Sequence, residues 1–309
     1  MSKNEKDSPV LVLEGGISAE REISFKSSAC VQKALKKLGY KVLLFDMQQG
    51  IDSLKKLIDK EKPFVVFNAL HGGWGENGHI PAFLDMIKIP YTHSGFFASA
   101  LGMNKTACKA VAASLNIEVA KGIIPANEWI LKTSETDFDC VIKPNQEGSS
   151  VGVIILKKGD RIPDEVKQEV LLGQTFVVEE YINGREFSVA VLDEDVLGII
   201  ELVPKDGFYD YEHKYEKGKT EHLFPSNLSD DVIKKLHEAA LKMHSFLGCR
   251  GATRCDFRYD DKENRVVFLE INTHPGLTDL SLVPELALHK GISYNQLIEY
   301  LIKQADFEK

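Results

Sequence analysis

Four things are missing from this sequence, and each absence excludes something. The five cysteines, Cys30, Cys108, Cys140, Cys249 and Cys255, form no CxxC pair; the closest two sit six apart in CRGATRC. That excludes zinc ribbons and thioredoxin-type redox centres, and an odd count without metal spacing points to reduced cytoplasmic thiols. No apolar run approaches the length of a membrane span, and the polar start MSKNEKDSPV lacks the apolar core of a signal peptide. The expected location is therefore cytoplasmic, with no membrane partner. Nor is there an excess of basic residues: 46 acids against 38 bases leave a formal net charge of -8. This argues against nucleic acid as the main partner, but not against small anions, which need only a local basic pocket. The phosphate-cradling pattern GxxxxGK followed by Ser or Thr is absent as well.

What is present is ordinary globular material, 43% hydrophobic and 27% charged over 309 residues, enough for two or three domains. The first hundred residues alternate between two patterns. PVLVLEGG (9–16), YKVLLFD (40–46) and PFVVFNAL (63–70) are short apolar runs, and SFKSSACVQKALKKLGY (24–40) carries Phe25, Val31, Leu35 and Leu38 at helical spacing before Gly39. Strands alternating with helices predict a parallel sheet covered on both faces. After MNKTACKAVAASLN the strands crowd together: DCVIKP, VGVIIL, TFVVEEY, EFSVAVL and VLGIIELV, interrupted only by the helix-like DEVKQEVLL. That pattern predicts antiparallel α+β structure. FYDYEHKYEKGKTEHLFPSN (208–227) has no apolar periodicity and reads as a functional or disordered loop. SDDVIKKLHEAALKMHSFLG (229–248) is a helix capped by Ser229, with a stripe of Val232, Leu236, Met243 and Leu247 ahead of Gly248.

Four stretches carry chemistry. HGGWGENGHI (71–80) holds Gly73, Gly75 and Gly78 in GxGxxG register after a strand. A dinucleotide fold would also need an acid at the end of a second strand about 20 residues on, and IKIPYTHSG supplies none, so a functional glycine turn is the better reading. KPNQEGSSVGV (143–153) places Lys143 at a strand end, Val151 at the start of the next strand and residues 145–150 in a loop between them. Such a loop can wrap phosphate oxygens, but from these eleven residues alone a plain hairpin turn is the better reading. In RCDFRYDDKENRVVFLEIN (254–272) a turn near residue 263 sets Asp256 roughly opposite Glu270, and period two puts Glu270 and Asn272 on one face. Two carboxylates and an amide oxygen suit a hard cation such as Mg2+ carrying phosphates; the alternative is a pair of solvated strand charges. EEYINGREF (179–187) is a strand that ends at Glu179 and Glu180, breaks at Gly184 and resumes at Glu186. A strand end of this kind can read a nucleotide, but by itself the stretch is more often a strand junction with solvated acids.

Taken together with EGGISAEREIS (14–24), PYTHSGFFASALGMNK (90–105), FYDYEHKY (208–215), CRGATRCDF (249–257) and LEINTHPGLTDLSLVP (269–284), these stretches resemble the ATP-grasp enzymes. Within them the resemblance is to the D-alanine–D-alanine ligases, in family order along nearly the whole chain. It implies three domains: an N-terminal substrate-binding α/β domain (1–103), a central ATP-grasp domain (104–183) and a C-terminal catalytic domain (184–309), with 208–227 as a lid. It implies a cytoplasmic homodimer that uses ATP and two Mg2+ ions, or Mn2+ in their place, to join two D-alanines for peptidoglycan precursor synthesis. One D-alanine carboxylate attacks the γ-phosphate to give an acyl phosphate, which the second D-alanine's amine then attacks.

The resemblance also assigns roles. Lys105, Lys143 and Lys214 face ATP phosphates, Glu179 meets the adenine amine, Glu180 and Ile182 form the hinge, and Glu186 takes the ribose. Asp256, Glu270 and Asn272 hold metal, while Arg254 and the Gly276 N–H stabilise the oxyanion. Glu20 binds the first D-alanine's ammonium, Ser281 and Leu282 the second substrate's carboxylate, and Ser149, Tyr215 and Glu20 link loop to lid. His71 is either a substrate contact or a satisfied core histidine; His93, His213 and His274 lack metal spacing. The chain departs from the family pattern at Asn77 and Asn104, where aspartate is common, and at His93, where glycine is common. Tyr215 favours D-alanine over D-lactate as second substrate, and D-serine or D-lactate ligation remains the alternative within the class. A nucleotide-binding module would leave Arg254 and the Gly276 turn without a use, and a dehydrogenase would leave the Asp256, Glu270 and Asn272 set unexplained.

Overall fold

The computed structural model describes residues 8–205, 218–225 and 227–308. The chain opens with β1 (Val10–Glu14), α1 (Arg21–Lys37), β2 (Val42–Asp46), α2 (Ile51–Glu61) and β3 (Val65–Asn68), forming a parallel sheet in the order β2-β1-β3. Because successive strand residues point to opposite faces, β1 feeds two cores. Val10 and Val12 pack with Val31 and Leu35 of α1, whereas Leu11 and Leu13 join Leu54 and Ile58 of α2. Helix α3 (His79–Met86) completes the second core through Ile80 and Leu84. The expected strand at IKIPYTHSG is reduced to isolated bridges from Tyr91 to Val66 and Asp306.

Helices α4 (Phe96–Met103) and α5 (Lys105–Ser114) lead into the antiparallel sheet β4-β7-β5-β6, built from β4 (Gly122–Ile123), β5 (Cys140–Pro144), β6 (Ile154–Leu156) and β7 (Phe176–Glu180). Its core joins Ile142 and Val178 to Ile130 of α6 (Ala126–Lys132) and Val166 of α7 (Asp164–Leu171). A second antiparallel sheet runs β10-β9-β8-β11-β12, from β8 (Arg185–Leu192), β9 (Asp195–Pro204), β10 (Thr220–Leu223), β11 (Ala252–Asp260) and β12 (Arg265–Asn272). One face of this sheet buries Phe187, Val189 and Phe257 under Val232, Leu236 and Met243 of α8 (Asp230–Phe246). On the other face Ala190 and Ile200 meet α9 (Leu282–His289) and α10 (Tyr294–Lys303), in a core that continues to Val10 and Val31. The C-terminal helices thus close over the N-terminal sheet. This is the three-domain ATP-grasp architecture, with a parallel sheet first and two antiparallel sheets after it.

Three local expectations are corrected. Strand β6 starts at Ile154 rather than Val151, because Val151–Val153 belong to the turn: Val151 N donates to the Gly148 carbonyl at 3.1 Å. Within 208–227, residues Thr220–Leu223 are not loop but an edge strand paired with β9. Helix α1 begins at Arg21, three residues before Ser24, with Glu20 at its N-terminus. The Ser229 cap is present: its hydroxyl accepts from Val232 N at 3.4 Å. All five thiols are free, and no helix among the described residues is long and apolar enough to cross a membrane.

Candidate active site

The β11–β12 hairpin positions the centre of the site. Asp256 pairs with Glu270 and Arg254 with Asn272, as the turn near residue 263 predicts. Along β11 the side chains alternate: Cys255 and Phe257 enter the core under α8, while Arg254, Asp256 and Arg258 share the other face. Strict alternation would put Phe268 and Glu270 of β12 on the same face. A bulge between Asp256 and Phe257 inserts one residue, so Phe268 pairs with Phe257 in the core while Glu270 stays opposite Asp256. The Asp256 carboxylate accepts from Ser188 Oγ at 2.6 Å and from both ends of the Arg254 fork at 2.8 Å. Asn272 Oδ1 accepts the His274 N–H at 2.8 Å.

Two cavities meet at this hairpin. The first lies between Glu20, His71, Ser149, Arg254 and the Gly276–Leu282 turn. Glu20 is buried and accepts from Ser149 Oγ at 2.5 Å. The 71–78 turn approaches so closely that a Cβ on Gly72, whose φ is +64°, would stand 2.7 Å from Glu20 Oε2. Only glycine meets both the left-handed conformation and the contact. His71 lines this cavity with both ring nitrogens engaged, Nε2 at 2.8 Å from Ser27 Oγ and Nδ1 at 3.3 Å from Glu76. Ser281 precedes α9, and its hydroxyl accepts from Thr278 N at 2.9 Å; a Cβ on Gly276 would meet that hydroxyl at 2.8 Å.

The second cavity is walled by Lys143, Glu179, Ile182 and Glu186, with Ser150 and Val151 at its edge. Glu179 is 3% exposed and sits between two ammonium groups: Lys143 Nζ at 2.8 Å and Lys109, also in ion-pair contact. Burial pushes the Glu179 carboxyl up, yet Lys143 and Lys109 outweigh it and hold it down at about 2. Burial, reinforced by repulsion from Lys143, brings Lys109 down to about 8, while Glu179 outweighs burial and raises Lys143. Glu186 pairs with Arg258 at 2.9 Å, and Glu180 with Arg265 at 2.9 Å.

The family model described as "D-ala D-ala ligase C-terminus" matches residues 115–303. A D-alanine–D-alanine ligase from Wolbachia pipientis wMel is 44% identical over 299 residues, covering 96% of this chain and 94% of the relative. One from Parvibaculum lavamentivorans is 41% identical over 305 residues, 97% of this chain and 98% of that one. The chain belongs to the D-alanine–D-alanine ligase family. The crystal structure of the Bacillus anthracis D-alanine–D-alanine ligase complexed with ATP superimposes on this ligase with a TM-score of 0.79 at 27% identity, covering 96% of each chain. The D-Ala:D-Ser ligase from Enterococcus faecalis gives 0.76 at 25% identity, covering 96% of this chain and 99% of that one.

In this ligase the two cavities share a wall: Lys105, Glu147 and Glu270 line both. Lys105 touches the Glu147 carbonyl and lies 3.7 Å from Glu270. It is presented by the first turn of α5, which residue Asn145 clamps to the 143–153 loop. Lys105 N donates to the Asn145 carbonyl at 3.0 Å, and Thr106 N donates to Asn145 Oδ1 at 2.9 Å. Lys105, Glu147 and Glu270 therefore stand where the two cavities adjoin. Of the residues to which the resemblance gives a site role, all but two line these cavities. Tyr215 and Lys214, with His213 and the rest of residues 208–217 and 226 of the segment expected to be the lid, lie outside the described residues. Lys109, Glu76, Ser188 and Arg258 were not singled out. Glu76 had a signal, since it sits inside HGGWGENG; the others read as ordinary helix or strand positions.

Proposed function

We propose that this chain joins two D-alanine molecules into D-alanyl-D-alanine at the expense of ATP, for peptidoglycan precursor synthesis. The observation that carries this reading is the wall of Lys105, Glu147 and Glu270 common to the two cavities, because a phosphoryl group must pass between nucleotide and amino acid. ATP occupies the second cavity. Its adenine lies against Ile182, with Glu179 at the exocyclic amine, Glu180 at the hinge and Glu186 at the ribose, and Lys105, Lys143 and Lys214 neutralise its phosphates. Glu20 binds the ammonium of the first D-alanine. That substrate's carboxylate oxygen attacks the γ-phosphorus, the bond to the β-phosphate oxygen breaks, and ADP leaves. Phosphorylation turns a carboxylate, whose leaving group would be oxide, into an acyl phosphate that an amine can attack. The second D-alanine's amine adds to that carbonyl, Arg254 and the Gly276 N–H hold the oxyanion, and phosphate departs as the amide forms with loss of a proton. Such a donor contributes roughly 3–4 kcal/mol. The second carboxylate is seated at Ser281 and Leu282, at a helix N-terminus where free N–H groups favour an anion. The hydrogen bond from Ser149 to Glu20 supports the loop-to-substrate link, with Tyr215 as its lid member.

The donor set fits a hard cation. Among the described residues no cluster of three or more Asp, Glu, His or Cys gathers as a self-sufficient metal site. Two carboxylates and an amide oxygen leave coordination positions for phosphate oxygens and water, as Mg2+ prefers. Asp256, Glu270 and Asn272 would hold two Mg2+ ions, or Mn2+, which when bound spread the charge of the transferring phosphoryl group. For Asp256 this requires the Arg254 fork to turn from the carboxylate toward the substrate. We further propose the division into 1–103, 104–183 and 184–309, and a homodimer.

The test is release of ADP and phosphate by the purified chain with ATP, Mg2+ and D-alanine, with parallel arms adding D-serine or D-lactate. Release that requires D-alanine and metal, and that the other partners do not increase, is expected. ATP binding without phosphate release would refute the ligase reading, and a larger yield with D-serine or D-lactate would reassign the second substrate.

A further inference from the structure

We propose that Lys109 is a positioning residue for the nucleotide site: from behind the cavity wall it fixes the Glu179 carboxylate, so that Lys143 can leave Glu179 for a nucleotide phosphate. The inference rests on the reading of Lys143 and Glu179 given above.

Lys109 lines neither cavity and is only 7% exposed. It stands one helical turn after Lys105 on α5, and residues four apart share a helix face. One helix thus sends Lys105 to the wall between the cavities and Lys109 to the back of Glu179. The carboxylate divides its two oxygens between the two ammonium groups, Oε1 with Lys109 and Oε2 with Lys143 at 2.8 Å. Lys143 is therefore engaged by Glu179. Turning it to a phosphate breaks that pair, and a buried carboxylate stripped of its cation carries a large desolvation penalty. Lys109 remains on the other oxygen and removes that penalty. The carboxylate stays ionised and keeps the orientation in which Oε2 can accept from the adenine amine. Two cations on one buried anion are more than a structural ion pair needs; the arrangement suits a site in which one of the two is to be lent to a ligand.

The experiment is ATP binding, measured by titration calorimetry with Mg2+ and without D-alanine, on the wild type, K109M, K109R, E179Q and the double variant K109M/E179Q. K109M is expected to weaken ATP at least tenfold. K109R, which keeps the charge, should stay within about threefold of wild type. In the double variant the carboxylate that Lys109 serves is gone, so its ATP affinity should match that of E179Q alone. This comparison also serves if K109M by itself fails to fold. Wild-type affinity in K109M would overturn the proposal. So would a double variant at least tenfold weaker than E179Q, since Lys109 would then act apart from Glu179. A wild-type chain that does not bind ATP would instead refute the nucleotide reading of the cavity.

Discussion

Burial sets the chemistry of single residues here as much as their identity does. His93 shows this away from the reacting groups. It is 4% exposed, its ring packs 4.0 Å from that of His274, and burial, with His71 and Arg250 nearby, brings its pKa down to about 3. A histidine neutral in the fold but able to titrate normally when unfolded makes the unfolded state bind more protons between about pH 3 and 6.5. Stability from this residue is therefore full above pH 6.5 and falls as pH drops toward 3, by up to about 1.4 kcal/mol per pH unit. The backbone at His93 is left-handed, with φ 71°, a conformation asparagine tolerates. His93→Asn should flatten the decline in urea-unfolding free energy between pH 6.5 and 4.5 by up to that amount. An unchanged slope would mean that His93 is not held neutral. Nothing in PYTHSG announces this: a histidine there reads as a loop variant, and its surroundings include His274, far along the chain.

At the scale of elements, the site depends on how α5 is held. Asn104 caps it by accepting from Ala107 N at 3.0 Å, and Asn145 reaches across from the 143–153 loop to Thr106 N, Thr106 Oγ1 and Asn104 Oδ1. The loop that begins with Lys143 and the helix that begins with Lys105 are thus one unit. Asn145→Ala should cost about 1–3 kcal/mol, as expected for a buried residue whose partners are left unsatisfied, and should raise KM for ATP several-fold. Urea unfolding and steady-state kinetics would check both; a stability loss without a change in KM would separate loop from site. Most elements were legible from period and caps, including α8 with its Ser229 cap and the two-sided β1. The failures have physical causes. Val151 and Val153 look like strand residues but serve a turn, and Thr220–Leu223 pairs only at a sheet edge, where no apolar alternation is required. The bulge that sends Phe268 to the core and Glu270 to the site is a property of pairing, not of either strand alone. Lys109 was invisible because a lysine in KTACKAVAAS reads as a solvated face until Glu179 of β7 is seen against it.

For the whole molecule, the sequence conveyed three units in order but not how they close on one another. Helices α9 and α10 cover the N-terminal sheet in one continuous core with Val10, Val31 and Leu35, although about 250 residues of chain intervene. That closure sets the Gly276–Leu282 turn against Glu20 and His71 and so completes the first cavity. The second cavity arises where β5 and β7 of the middle sheet face β8, β11 and β12. Neither cavity belongs to a single unit, and the wall they share is the proposed place of phosphoryl transfer. The most direct test uses D-alanine labelled with 18O in its carboxylate, ATP and Mg2+, with mass spectrometry of the phosphate and dipeptide produced. Transfer through an acyl phosphate predicts one labelled oxygen in each phosphate released with a dipeptide; unlabelled phosphate accompanying dipeptide formation would contradict it.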